Sequence, residues 1–169
     1  LGQNIKTIAY FGDGACEEGI LHESLNIAST YELPILFICE NNQYSCNTYI
    51  NRRQASNQMV RFAKAHKIDC TSIQREDNYS KIVNKINNAS FKSAHGPYFI
   101  EINSYRLYEH CGHRKDAQNY DRAKEEYLKH KNADTINKLC KKYHELRSYY
   151  KISLKRYIKL IKDLEKQVR

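Results

Sequence analysis

The run Ile5-Lys6-Thr7-Ile8-Ala9-Tyr10-Phe11 stops at Gly12-Asp13-Gly14-Ala15, and a second apolar run, Ile35-Leu36-Phe37-Ile38-Cys39, stops at Glu40-Asn41-Asn42-Gln43-Tyr44. Each run has the length and character of a buried strand. Between them Leu21, Leu25, Ile27 and Ala28 fall at helical spacing, followed by Pro34. Strand, helix, strand in this order indicates an α/β chain with a parallel sheet flanked by helices. In such a sheet the carboxyl ends of successive strands line one edge, where ligands bind. Asp13 and Asn42 are therefore expected to meet in space despite their separation in sequence.

The chemistry this pattern offers is that of a hard cation carrying a phosphate. A carboxylate, an amide oxygen and a backbone carbonyl suit Mg²⁺, which commonly shares its shell with phosphate oxygens. Gly12 and Gly14 allow a tight turn and a close approach of the backbone to a ligand. A helix expected to begin after Ala15 would aim its unpaired N–H groups at the same place. A Gly-Asp-Gly alone is also an ordinary turn. The second strand, ending in Glu-Asn-Asn, is what makes the signal specific.

Gly-Asp-Gly-Ala through Glu-Asn-Asn-x-Tyr resembles the thiamine diphosphate motif, in the form used by the alpha subunit of 2-oxoacid dehydrogenase decarboxylating components. Glu18-Gly19, His22-Glu23-Ser24-Leu25-Asn26-Ile27-Ala28 and Leu33-Pro34 also look like that family. The resemblance implies a partial thiamine diphosphate-binding fold. It implies that Asp13, Asn42 and the carbonyl of Tyr44 bind Mg²⁺. Gly12, Gly14 and Ala15 would belong to the cofactor-binding turn, with Gly14 and Ala15 meeting the diphosphate through backbone N–H groups.

Downstream, Ser45 to Asn57 is polar and reads as an ordered loop beside the metal site. A short helix is expected over Asn57 to His66 and a strand over Ile68 to Ile73. Asp77-Asn78-Tyr79-Ser80 offers a cap for a helix carrying Ile82, Val83, Ile86 and Ala89, which Gly96-Pro97 would stop. Tyr98-Phe99-Ile100-Glu101-Ile102 reads as a central strand. Just past it lies Ser104 to His113, a second place for chemistry on the same edge. Arg106 can pair with an anion, and His110 can donate to a diphosphate or move a proton near neutral pH. The family has a Tyr-Arg pair here and an active-site histidine four residues after the arginine. Arg106 and His110 match those positions and are the catalytic candidates, with His110 also a cofactor contact. Some members follow that histidine with a phosphorylated serine. Cys111 stands there instead, so that regulation is not implied. Gly112-His113-Arg114 departs from the family pattern, and His113, Arg114 and Asp116 would continue into the loop lining the site entrance. Tyr120 to Glu126 resembles a Tyr-Arg-x-x-Glu-Glu element with one inserted residue.

The net charge of +9 raises the question of nucleic acid. From Asp134 to Arg169 there are eleven Lys/Arg against four Asp/Glu, so the basic excess belongs to this tail. No stacking aromatics or recognition motif accompany it, and it reads as a solvated helix face. The tail is expected to form two helices. One carries Ile136, Leu139, Cys140, Tyr143 and Leu146. The other, capped at Ser153, carries Leu154, Tyr157, Ile158, Ile161, Leu164 and Val168. Domains are accordingly expected at 1–133, the diphosphate and metal half, and 134–169, a helical tail packing on that half or on a partner. The six cysteines form no C-x-x-C pair, which points to reduced thiols and away from zinc. No apolar run approaches the ~20 residues of a membrane span, and nothing like a signal peptide precedes the first strand. With Leu1 leading almost directly into that strand, the expectation is the C-terminal fragment of a longer subunit. It would be cytoplasmic, or in the mitochondrial matrix if eukaryotic.

The function the resemblance implies is thiamine diphosphate-dependent oxidative decarboxylation of a 2-oxo acid of the pyruvate type, with acyl transfer to a lipoyl-bearing acyltransferase partner. In the family the glutamate that activates the cofactor comes from a beta subunit, in a heterotetramer, so the isolated chain is expected to be inactive. Two other readings stay open. One is another thiamine reaction (acetoin cleavage, a carboligase or a transketolase-like transfer), and the other is a non-catalytic assembly module. The acyl pocket, and so the particular 2-oxo acid, is not readable.

Overall fold

The computed structural model describes residues 6–112, 114, 115 and 124–168. Contacts divide the chain into two compact units, Leu1–Asp121 and Arg122–Arg169. The boundary expected at 133/134 lies inside the second of these.

The first unit is built on four parallel strands in the order β1-β2-β6-β5, formed by β1 (Thr7–Gly12), β2 (Ile35–Asn41), β5 (Asp69–Ile73) and β6 (Tyr98–Asn103). Helices α1 (Gly19–Thr30), α2 (Val60–Ala65) and α3 (Tyr79–Lys92) connect them. The pleat of β2 sends alternate residues to two cores. Phe37 and Cys39 pack with Leu21, Leu25 and Ala28 of α1 and with Val60, Phe62 and Ala63 of α2. Leu36 and Ile38 pack on the other face with Ile73, Ala89, Tyr98 and Ile100. Burial on both faces explains why β2 and β6 read as continuous apolar runs. Phe11 joins the first core edge-on to Phe37 and Phe99, at 6.5 and 5.9 Å between ring centroids. A fully buried leucine such as Leu25 contributes roughly 1.5–3 kcal/mol to holding α1 on the sheet.

Several boundaries differ from the sequence reading. Strand β1 starts at Thr7 and is half-exposed, with Ile8 50 % and Tyr10 68 % accessible, where a buried strand was expected. It lies at one end of the strand order, and among the described residues β2 is the one strand on its flank. Ile27, counted with the apolar stripe of α1, also faces outward. The segment after Asp13 is a 3-10 turn, Asp13–Glu17, and the α-helix begins only at Gly19. The polar stretch after Asn42 contains a short antiparallel hairpin, β3 (Tyr44–Ser45) with β4 (Thr48–Tyr49), and a 3-10 turn at Ile50–Arg52. Helix α3 is capped as expected, Asn78 Oδ1 accepting from Lys81 N at 2.9 Å. It ends at Lys92, before Gly96 is reached.

In the second unit, α4 (Lys124–Asn132), α5 (Thr135–Lys142) and α6 (His144–Val168) follow one another. Asp134 caps α5 by accepting from Asn137 N at 2.9 Å. The break in the tail falls at Tyr143, where the backbone is extended, and α6 runs unbroken through Ser153. Serine is tolerated within a helix, and here the periodic apolar residues on both sides outweigh its preference for a cap. Among the described residues no helix is long and apolar enough to cross a membrane. His113, Asp116 and the start of the Tyr120 to Glu126 element lie outside the described residues.

Candidate functional site

The register of the sheet sets the site. Gly12 pairs with Glu40, and Asn41 with Asn103, so β1, β2 and β6 end together on one edge. Asp13 follows β1, Asn42 follows β2 and Ser104 follows β6. The Ser104 N–H donates to Asn41 O at 2.9 Å, which fixes the loop after β6 against the end of β2.

Asp13 is almost fully buried, at 1 % accessibility. A carboxylate so placed needs a partner. Arg53 Nη2 donates to Asp13 Oδ2 at 2.7 Å, and Nη1 donates to Glu17 Oε1. Gln54 Nε2 donates to Asp13 O at 3.3 Å and to Glu17 Oε1 at 2.9 Å. The polar segment 45–57 thus closes over the turn after β1 through two adjacent side chains. A methyl group on Gly14 would lie 2.5 Å from Ser45 Oγ and 2.9 Å from Ser45 Cβ, so β3 sits directly on this glycine.

The two asparagines make different contacts, Asn41 at the end of β2 and Asn42 in the turn beyond it. Asn41 is buried and donates through Nδ2 to Glu101 Oε1 and to Asn57 O, each at 2.8 Å, while its Oδ1 accepts from Gln43 N at 3.1 Å. Asn42 Oδ1 accepts from Tyr44 N at 2.9 Å, an Asx turn that brings the chain round into β3. Gln43 at the bend takes a left-handed conformation, φ 67°. Arg106 reaches this hairpin, Nη2 donating to Cys46 O at 2.7 Å.

Asp13, Gly14, Asn42, Tyr44 and Arg106 are thereby linked through one hairpin. His110 is not among them. It is exposed on the loop closed by a bridge between Tyr108 and Lys115, and among the described residues no hydrogen bond ties it to Asp13 or Asn42. Gly12 and Ala15 flank Asp13 in the turn, and the helical N–H groups expected there are those of a single 3-10 turn.

Sequence reasoning missed Arg53, Gln54 and Glu101. Glu101 is 2 % accessible in a central strand, and Val60 N donates to its second oxygen at 3.3 Å. A glutamate inside Tyr98-Phe99-Ile100-Glu101-Ile102 was itself the signal, because a buried carboxyl requires donors. Arg53 gave no such signal, since nothing local names its partner. The buried Cys16 and Cys39 lie 3.6 Å apart beneath the turn. The neighbouring thiol and burial push the Cys39 thiol far up, keeping it protonated. A cleft of about 460 Å³ bordered by Lys67, Asp69, Lys92 and Tyr98 opens at the amino ends of β5 and β6, on the opposite edge of the sheet.

The donors at the Asp13 edge are all hard oxygens, and the Asp13 carboxylate already holds a cationic group. That set fits a divalent cation. Among the described residues no cluster of three or more His, Cys, Asp or Glu forms a metal site, so a cation here would depend on amide and carbonyl oxygens besides the one carboxylate.

The fold is that of known transketolases. One from Pichia stipitis superposes with a TM-score of 0.51 at 17 % identity, over 58 % of this chain and 14 % of that one. One from Leishmania mexicana gives 0.51 at 20 %, over 58 % and 15 %. At such identities the likeness concerns the fold alone. The chain belongs to the dehydrogenase E1 component family, whose model matches residues 1–168. It is 32 % identical over 127 residues to the alpha subunit of acetoin:2,6-dichlorophenolindophenol oxidoreductase from Bacillus subtilis, covering 73 % of this chain and 37 % of that protein. It is similar to pyruvate dehydrogenase E1 alpha subunits too. The mitochondrial one of Dictyostelium discoideum is 32 % identical over 61 % of this chain and 27 % of that protein, and that of Rickettsia typhi 29 % over 80 % and 41 %. The chain therefore spans between about a quarter and two fifths of the length of these relatives.

Proposed function

We propose that this chain forms the metal- and diphosphate-binding half of a thiamine diphosphate-dependent 2-oxoacid dehydrogenase decarboxylating component, as part of its alpha subunit. The observation that supports this most is the meeting of the buried Asp13 and the Asn42–Tyr44 turn through one hairpin on the carboxyl edge of a parallel sheet. Mg²⁺ would be held by Asp13, Asn42 Oδ1 and the Tyr44 carbonyl, sharing or replacing Arg53 on the Asp13 carboxylate. Gly12, Gly14 and Ala15 would form the turn against the diphosphate. Thiamine diphosphate, when bound, supplies the electron sink that lets carbon dioxide leave a 2-oxo acid.

This chain's residues position and shield. Arg53 and Gln54 hold the turn shut from the solvent side. Arg106, anchored on Cys46 O, sets the loop that carries His110. His110, exposed here, would come to the diphosphate and the reacting carbon when that loop closes, donating a hydrogen bond or a proton. A beta subunit would supply the activating glutamate, and a lipoyl-bearing acyltransferase would accept the acyl unit. The eukaryotic relative in Dictyostelium is mitochondrial, so a eukaryotic source would place this chain in the matrix. The chain by itself would not turn over. The similarity to the Bacillus acetoin protein keeps acetoin cleavage as a second reading of the same site.

Titration calorimetry with thiamine diphosphate tests the proposal. Heat of binding that needs Mg²⁺ and disappears in Asp13→Ala is expected. Absence of binding, in the presence of a beta subunit as well as alone, would overturn it.

A further inference from the structure

Helix α6 is 25 residues long and carries an apolar stripe that stays exposed. Leu154 is 47 % accessible, Tyr157 64 %, Ile158 45 %, Ile161 55 % and Leu164 51 %. Helix α5 lies beside the amino-terminal end of α6, where Asn137, Cys140 and Lys141 share a cleft with Arg147, Tyr150 and Lys151. The stripe beyond Ser153 is left open to solvent.

The spacing of the stripe is that of a heptad. Within α6, Tyr150, Tyr157 and Leu164 fall at the d position, with Leu154 and Ile161 at a. Steps of four and three alternate from Tyr150 to Leu164, which is the seam of two supercoiled helices. Charge says what that seam accepts. Lys155, Arg156, Lys159, Lys162 and Lys166 occupy the outer b, c and f positions, away from a partner helix. The flanking e and g positions are Lys151, Ser153, Ile158, Leu160, Glu165 and Gln167, with one charge of each sign.

We infer that α6 pairs with α6 of a second copy of this chain, antiparallel and centred near Ile158 to Leu160. In that alignment Leu154 packs on Leu164 of the second copy, and Tyr157 on its Ile161. Ile158 meets Ile158 and Leu160 meets Leu160 across the two-fold axis. Lys151 then faces Glu165 of the second copy at both ends of the seam, so the only two charges beside it pair with each other. A parallel pairing opposes Leu160 to Glu165 and Leu146 to Lys151, which satisfies neither charge. The antiparallel arrangement is isologous and closed. It is independent of any cofactor at Asp13.

Sedimentation equilibrium of the full chain across a concentration series tests this. A mass approaching twice 19.9 kDa is expected, collapsing to the monomer in Ile161→Asp while the circular dichroism of the sheet unit persists. Lys151→Glu or Glu165→Lys alone should weaken dimerisation about tenfold, and the double reversal should restore it. Lys159→Glu, at an outer position, should not weaken it. A monomer at every concentration would overturn the inference. So would a dimer that Ile161→Asp leaves intact, or one that the charge reversals do not touch.

Discussion

The Arg53 guanidinium and the Asp13 carboxylate, forty positions apart in the chain, meet at 2.7 Å with 9 % and 1 % of their side chains accessible. The pair closes the segment after β2 over the turn after β1. Breaking a buried pair from one side leaves an uncompensated charge, which costs about 3–5 kcal/mol. Arg53→Gln is therefore expected to lower the unfolding free energy by about 3 kcal/mol, read by urea denaturation without divalent metal. Mg²⁺ should return part of that loss, because it supplies the missing positive charge. A variant as stable as the parent chain, or one indifferent to Mg²⁺, would show that Asp13 is stabilised by other means.

Gly14 is required by what lies above it. An alanine methyl would approach Ser45 Oγ to 2.5 Å and Ser45 Cβ to 2.9 Å, so the hairpin must lift. Gly14→Ala should cost about 1–3 kcal/mol, the usual range for overpacking. Ser45→Gly in the same chain should relieve most of it, as a double-mutant cycle in chemical denaturation would record.

Asp77 gives the fold an acid-side sensitivity. Lys81 and Lys85 each approach its carboxylate to 2.6 Å and Gln74 N donates at 3.0 Å. These contacts, with Lys81 foremost, hold the carboxyl well below its usual range. A carboxyl depressed in the folded state stabilises above its unfolded value, near 3.9, and the contribution fades as pH falls toward the folded value. Asp77→Asn should lower Tm at pH 7, and the gap between variant and parent should narrow steadily below about pH 4. A gap that is constant with pH would assign the effect to shape instead of charge.

The cysteines should divide by reactivity. Cys46 and Cys111 are exposed, whereas Cys16 and Cys39 are buried against each other. Only the thiolate attacks, and the Cys39 thiol is pushed up by its neighbour and by burial. A short iodoacetamide pulse followed by peptide mass analysis should label Cys46 and Cys111 first. Cys16 and Cys39 should react only once the chain is unfolded, and prompt labelling at Cys39 would contradict the packing beneath the turn.

The parallel sheet was readable because β2 and β6 are buried on both faces and carry unbroken apolar runs. That Asp13 and Asn42 follow strands ending on one edge was readable because the carboxyl ends of successive parallel strands line up. Strand β1 misled for the same reason. Its residues are as apolar as those of β2, yet Ile8 and Tyr10 are half or more exposed, and hydrophobicity alone does not say what covers a strand. Arg53 was invisible because its partner lies across a hairpin whose strands are two residues each, too short to leave a period. The break at Tyr143 was masked by apolar spacing that continues through it, and Ser153 then offered a cap in the wrong place.

Glu101 gives the two neighbouring asparagines different fates. Its carboxyl, deep in the central strand, depends on Asn41, so losing Asn41 damages the folded chain whether or not any chemistry is performed. Asn42 serves the turn into β3 instead, its Oδ1 accepting from Tyr44 N. A descendant that abandoned its cofactor would still have its first asparagine guarded by natural selection, so an asparagine kept at that position testifies to an intact core and not to a working site.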